Sequence, residues 1–261
     1  MRMDRIWMIP LLLAGFLAVH LVKMMRLYLV LLEQKMEFKR FVSAYLRTTL
    51  LNLLIPFKLG ELYRVYTFSR MAKSVQIGLF SVIVDRFFDT MALVLILLPF
   101  QLLVLGHLTL PTMFLALFVI VILFIFRIFP SVYGYLNNYI ITSRSSGRSL
   151  AVLRGLDVLK RGYDYVKDLV SGRYALMLLL SFGAWLLESA VLYGVSGLYG
   201  ILFTTATFSD YISSILSTTY NALMRIYTFW SVVLIAAFTL VSLIVLLVAR
   251  DRQKKKKDYR L

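Results

Sequence analysis

Long apolar stretches are the feature that most constrains how this chain can fold. They cover residues 6–32, 75–100, 111–130, 174–200 and 229–249. A helix needs about 20 apolar residues to cross the hydrocarbon core, where every backbone polar group must be bonded within the protein. The short alternating segments that are typical of a membrane barrel are missing. The sequence therefore predicts an all-α integral membrane protein with about five transmembrane helices, folded as a single membrane domain over residues 1–261.

The charge distribution favours a membrane protein over a nucleic-acid-binding one. The net charge is +16, and most of the basic residues lie in the links between apolar stretches. This is the pattern of the positive-inside rule and of attraction to anionic headgroups, so we expect no nucleic-acid partner. The basic tail, residues 250–261, is predicted to be cytoplasmic, which puts the N-terminus outside if there are five spans.

One polar segment between the third and fourth apolar stretches is predicted to lie on the cytoplasmic membrane surface. It covers residues 131–173 and is rich in arginine and lysine. Its apolar side chains recur at helical spacing, at Leu153, Leu156, Leu159, Tyr163 and Val166. This periodicity predicts an amphipathic helix.

A break in an apolar run separates two further helical segments. Residues 41–57 are interrupted by polar side chains and end near Pro56, and Gly60 then precedes an amphipathic segment, residues 61–72. We predict a re-entrant hairpin that turns at Pro56 to Gly60, which requires protein or a water-filled cavity around its backbone. A full crossing by residues 41–57 is the alternative and gives six spans. Residues 201–228 are interpreted as a second re-entrant or interfacial element.

Charged residues inside the apolar sequence form the candidate site. They are Glu61, Arg64, Arg70, Asp85, Arg86, Asp89, Glu188 and Arg225. Charge at membrane depth is expensive, so it is paired and often functional. Asp85 and Asp89 share a helix face and repel each other, so a cation such as Arg86 must lie near them.

Two interpretations of these charges remain open. In the first, they form a buried network that fixes helix packing. In the second, Arg64, Arg70 and Arg225 bind a phosphate, which suits the planar guanidinium, and the acidic residues position them. Glu188 is either a hydrogen-bonding partner for a neighbouring helix or part of a substrate path.

The polar face of the first span allows two similar readings. Its His20, Lys23 and Arg26 follow one another at intervals of three residues. They either snorkel to the membrane interface or form a buried polar site.

The chain contains no recognisable catalytic motif, and we expect it not to be an enzyme. It has no cysteine and two histidines, which excludes disulfides and thiolate chemistry and argues against a histidine-rich metal site. Asp85 and Asp89 could imitate a metal pair, but Arg86 between them and the apolar setting argue against one. We therefore predict neither a metal nor a cofactor.

The motif L-I-P-F-K-L-G-E-L-Y-R-V-Y, followed by S-V-I-V-D-R-F-F-D, resembles the transmembrane region of the lysylphosphatidylglycerol synthase family. The matching positions are Pro56, Gly60, Glu61, Arg64, Arg70, Asp85, Arg86 and Asp89. A second break of the form P-G-G-x-G, usual in the C-terminal half of that family, has no counterpart here. The missing break bears on any mechanism that needs two matched halves.

The resemblance implies a role in the prokaryotic plasma membrane and in cell-envelope biogenesis. It suggests a flippase-like protein that translocates a phospholipid or a polyprenyl-phosphate-linked sugar, and it suggests self-association as a homodimer. The alternative is a membrane partner that does not transport but anchors or regulates a glycosyltransferase or another envelope enzyme. Synthesis of lysylphosphatidylglycerol is not expected, because the family's soluble aminoacyl transferase domain has no match in this sequence.

Overall fold

The computed structural model describes residues 8–55, 59–143, 147–204, 207–208, 211 and 222–258. Within these ranges the chain is helical and contains no strand. The helices are α1 (Met8–Leu31), α2 (Phe38–Leu54), α3 (Gly60–Ala72), α4 (Val75–Phe100), α5 (Leu110–Ser143), α6 (Gly147–Tyr199) and α7 (Ala222–Asp258).

Five of the described helices are long and apolar enough to cross a membrane. They are α1, α4, α5, α6 and α7. Helices α2 and α3 have 17 and 13 residues, short of the roughly 20 residues that a full crossing needs. The predicted all-α membrane fold with five spans is confirmed.

Helices α5 and α6 are both longer than the sequence pattern predicted. We expected the third span to end at Arg127 to Pro130, but α5 continues through Pro130 to Ser143. The predicted surface segment is divided between two helices, because residues 131–143 complete α5 and residues 147–173 begin the 53-residue α6. A helix of that length extends for about 80 Å, far more than the roughly 30 Å of the hydrocarbon core.

Aromatic contacts between α5 and α6 give another explanation for the apolar stripe that predicted a helix on the membrane surface. Tyr163 of α6 stacks against Phe126 and Phe129 of α5, with ring centroids 4.6 Å and 4.9 Å apart. Lys160, one turn earlier, lies 5.8 Å from the ring of Tyr133. These antiparallel contacts form a helical stem, residues 128–143 and 147–173. An apolar stripe can face a second helix as well as a membrane surface, and its periodicity is the same in both cases.

The chain divides into two compact units. One comprises Met1–Val82 together with Gly183–Leu261, and the other comprises Ile83–Phe182. The first unit contains α1, α2, α3 and α7 with the C-terminal part of α6, and α2 packs against both α3 and α7. Its core includes a cluster of buried side chains from α1, α2 and α3, among them Leu27, Phe41 and Phe68.

Helices α2 and α3 form an antiparallel hairpin within the first unit. The ring centroids of Phe41 and Phe68 lie 5.8 Å apart near the open end. At the closed end Gly60 approaches Asn52 so closely that a β-carbon at Gly60 would overlap the Asn52 backbone. The predicted turn residue Pro56 lies outside the described residues, but Gly60 is required for the close approach.

Replacing Gly60 with alanine should therefore destabilise the protein. The added methyl group forces the two helices apart, and overpacking of this kind typically costs about 1–3 kcal/mol. Gly155→Ala is the matched control, because Gly155 lies inside α6 and a β-carbon there meets no atom within 4 Å. Alanine at that position should stabilise the helix by up to about 1 kcal/mol. Thermal unfolding in detergent measures both effects, and equal melting temperatures for the two variants would contradict the packing argument.

Candidate functional site

Arg64 is the buried cation at the centre of the α2–α3 hairpin. Its side chain is 4% exposed. One terminal nitrogen, Nη1, lies 3.4 Å from both carboxylate oxygens of Glu61. The other, Nη2, donates a hydrogen bond of 3.2 Å to Oγ1 of Thr49. The planar guanidinium is thus held at both ends, by α3 and by α2.

Helix α2 supplies the rest of this site through one polar face. Tyr45, Thr49 and Asn52 follow one another at intervals of four and three residues, so they project from the same side of the helix. Nδ2 of Asn52 donates a hydrogen bond of 3.0 Å to Glu61, and the Arg64 guanidinium carbon lies 5.9 Å from the centre of the Tyr45 ring. We call these five residues the Arg64 cluster. An anion that enters it would compete with Glu61 for the guanidinium.

A second buried charge lies on α6. Glu188 is 4% exposed, and its Oε2 lies 2.5 Å from Nζ of Lys23 on α1. The hydroxyl of Tyr211 donates a 2.5 Å hydrogen bond to Oε1. Lys23 also lies 5.8 Å from the ring centre of Trp185. These four residues form the Glu188 cluster, in which the contact with a neighbouring helix expected for Glu188 is an ion pair.

His20 is close to one charged residue of each cluster. It is within electrostatic range of both Lys23 and Arg64, and its Nδ1 is buried and has no hydrogen-bond partner among the residues that the structure describes. His20 also lines an open apolar groove of about 130 Å³, whose walls come from α1, α2 and α7 and include Phe16, Met24, Tyr45, Ile235 and Phe238. Tyr45 belongs to both the groove and the Arg64 cluster, so one aromatic ring separates the apolar surface from the buried cation.

The polar face of α1 is buried at Arg26 and partly exposed at Lys23. Arg26 is 1% exposed, whereas the Lys23 side chain is 25% exposed and pairs with Glu188. The buried interpretation of this face therefore holds for Arg26, and Lys23 is partly buried in an ion pair. The spacing of three residues from His20 to Lys23 and Arg26 was the signal in the sequence.

The acidic pair of α4 lies in the second unit and is bridged by one arginine. Arg86 lies 3.4 Å from Asp85 and 3.7 Å from Asp89, measured between side-chain nitrogen and oxygen atoms. Asp85 is almost fully buried, whereas the Arg86 side chain is 42% exposed. The sequence predicted Arg86 as the partner of one of these acids and Arg64, Arg70 or Arg225 as the partner of the other, and in the structure Arg86 lies beside both acids.

The three arginines expected to bind phosphate have different environments. Arg64 is buried, whereas Arg70 and Arg225 are exposed. Arg70 contacts Tyr66 one turn earlier on α3, donating a hydrogen bond of 3.3 Å to its hydroxyl. The structure therefore places Arg64 in a built site and the other two at the protein surface.

Sequence reasoning did not assign Tyr45, Thr49, Asn52 or Tyr211 to a site. Thr49 and Asn52 are polar residues that interrupt an apolar run, and this interruption is a signal in the sequence that could have assigned them to the site. Tyr45 and Tyr211 carried none, since the chain has 16 tyrosines and most tyrosines of membrane proteins lie in cores and interfacial belts.

The family of the chain follows from a match over most of its length. The family model described as lysylphosphatidylglycerol synthase TM region matches residues 1–209. The chain belongs to this family. The matched range includes the Arg64 cluster, Lys23 and Glu188, while α7 and Tyr211 lie beyond it. Membership indicates a membrane lipid-related role for this multi-pass protein. No curated protein and no solved structure matches the chain.

Removing the buried guanidinium should destabilise the fold of this family member. Arg64→Ala leaves Glu61 without its cation, and breaking a buried ion pair on one side costs about 3–5 kcal/mol. Arg70→Ala, on the same helix but at the surface, should change stability by no more than about 0.5 kcal/mol. Unfolding followed by circular dichroism in detergent compares the two variants. Similar stability of Arg64→Ala and the parent would show that the cluster does not support the hairpin.

Proposed function

We propose that this protein binds a phosphate-bearing lipid at the Arg64 cluster and moves it between the two leaflets of the membrane. Family membership supports the lipid-related role. The proposal of lipid binding and translocation rests on one observation: Tyr45 lines an apolar groove and also lies beside the buried Arg64. An anionic headgroup and a hydrocarbon chain need these two environments side by side.

Arg64 is suited to the headgroup because its guanidinium can give two parallel hydrogen bonds to phosphate oxygens. Glu61 and Thr49 hold the guanidinium in a fixed orientation, so little side-chain entropy is lost on binding. A phosphate would displace Glu61 from Nη1, and Asn52 would retain its hydrogen bond to that carboxylate. The groove beside Tyr45 would receive the first part of the hydrocarbon chain.

The other charged residues of the candidate site have supporting roles in this proposal. Arg70 and Arg225 attract the headgroup at the surface before it reaches Arg64. Asp85 and Asp89 hold Arg86 in place, which keeps the net charge of that part of α4 low. The protein acts as a transporter without a catalytic step.

A mass-spectrometric inventory of the lipids that remain bound after purification tests this function. We expect the parent to be enriched in one anionic or polyprenyl-phosphate-linked lipid and Arg64→Ala to lose it. If Arg64→Ala does not fold, Arg64→Lys is the test variant, because lysine keeps the positive charge but cannot give the bidentate hydrogen bonds of a guanidinium. Arg154→Ala, which removes an exposed arginine from the helical stem, is the control and should retain the lipid.

The outcome also separates transport from the alternative role. If the parent and Arg64→Lys carry only bulk lipids in the same proportions, the paired charges are structural. A non-transporting partner of a glycosyltransferase or other envelope enzyme is then the better account. A binding result would be followed by a leaflet-exchange assay with a fluorescent lipid in proteoliposomes, in which Arg64→Lys should exchange lipid more slowly than the parent.

We also propose that the helical stem and the C-terminus are cytoplasmic in a cell membrane. The absence of cysteine from the chain allows single-cysteine labelling in intact cells. His107→Cys, exposed in the link between α4 and α5, should react with a membrane-impermeant maleimide. Tyr139→Cys, exposed on the stem, should react only after the cells are permeabilised. The opposite labelling pattern would invert the proposed topology.

A further inference from the structure

We propose that Glu188 is a proton-binding site that couples lipid movement to proton movement, with Lys23 exchanging its carboxylate partner for the lipid phosphate. This inference rests on the proposed function and adds to it a coupling ion and a second headgroup contact. It follows from the arrangement of the Glu188 cluster and from His20, which lines the apolar groove one turn before Lys23 on α1.

Three segments of the first unit converge on this single carboxylate. Lys23 reaches it from α1 and Tyr211 from the described part of the link before α7. Tyr227 of α7 also lies within hydrogen-bonding reach of it. Among the described residues, the ionisable groups shown to contact Glu188 are one ammonium and two phenols. The ammonium carries the positive charge in this set, so the Lys23–Glu188 pair is neutral only while Glu188 is ionised.

The side chains of Lys23 and Glu188 differ in how far they are exposed. The side chain of Lys23 is 25% exposed, whereas that of Glu188 is 5% exposed. The lysine can therefore be reached by a ligand while the carboxylate stays enclosed. A pair that served only to hold the helices together would gain nothing from an accessible ammonium.

The groove comes within one helical turn of that ammonium. His20 lines the groove and precedes Lys23 by three residues, so the two side chains project from neighbouring positions on α1. In this proposal, a lipid with its chain in the groove extends its phosphate past His20 to Lys23. Among the described residues, the buried Nδ1 of His20 has no hydrogen-bond partner, and it offers a polar contact to the headgroup.

Charge conservation then links the proton to the lipid. A phosphate that joins the neutral Lys23–Glu188 pair adds one negative charge in a poorly solvated place, which is costly. A proton that binds Oε2 of Glu188 breaks the ion pair and removes that charge. Lys23 pairs with the phosphate, Tyr211 keeps its hydrogen bond to Oε1, and the site is neutral again. When the lipid leaves, the proton leaves Glu188 and the original pair forms again.

Proton uptake on lipid binding tests this mechanism in the parent protein alone. Short-chain phosphatidylglycerol or a polyprenyl-phosphate-linked sugar, each a phosphodiester with one negative charge, is added to the purified protein in weakly buffered detergent with a pH indicator. We expect about one proton to be taken up per lipid bound, because one proton offsets the one negative charge that the phosphodiester brings into a poorly solvated site. Binding of either lipid without proton uptake would overturn the inference and leave the proposed function intact. If neither lipid binds, the proposed function itself fails. The lipid that does bind identifies the source of the phosphate.

Variants assign the proton to Glu188. Glu188→Gln imitates the protonated state, so it should bind lipid without taking up a proton. Lys23→Gln should weaken lipid binding at least tenfold. Glu37→Gln is the matched control, since Glu37 pairs with Arg40 at the surface, and it should retain the proton uptake of the parent. Uptake that persists in Glu188→Gln would assign the proton elsewhere and overturn the proposal.

Discussion

The cost of placing charge in an apolar environment governs the organisation of this protein. An isolated ion in hydrocarbon is penalised by several kcal/mol. Arg64 is accordingly held by Glu61 and Thr49, and Glu188 by Lys23 and Tyr211. The Thr49 contact joins α2 to α3 and the Lys23 contact joins α1 to α6, so the contacts around the two charges also tie pairs of helices together within the first unit.

The ion pairs of the two clusters differ in how they respond to movement of the helices. Glu61 and Arg64 are three residues apart on one helix and are also tied to α2, so their separation changes little if the helices move. Lys23 and Glu188 lie on different helices and are joined by one short contact. A change in the protonation of Glu188 therefore acts between helices. This difference makes the Arg64 cluster suitable for positioning a ligand and the Glu188 cluster suitable for a conformational step.

Much of the candidate site could be predicted from local sequence, and part of it could not. Glu61, Arg64, Asp85 and Asp89 stood out because charge is rare in apolar sequence. Arg70 and Arg225 stood out for the same reason, yet both are exposed. A charged residue near the end of a helix, or on its outer face, has the same local pattern as one that is buried. The partner roles of Tyr45 and Tyr211 depend on residues far away in the chain, so no local pattern could indicate them.

The sequence by itself determined the helical membrane fold, the five long apolar helices and the hairpin break before Gly60. These follow from hydrophobic length and from backbone chemistry, which act over a few turns of one helix. Only the tertiary structure decided that residues 131–173 join a paired stem and that Lys23 meets Glu188 across 165 positions of the chain. The reason is physical: an apolar stripe or a buried charge specifies the kind of partner it needs, and folding decides which partner it finds.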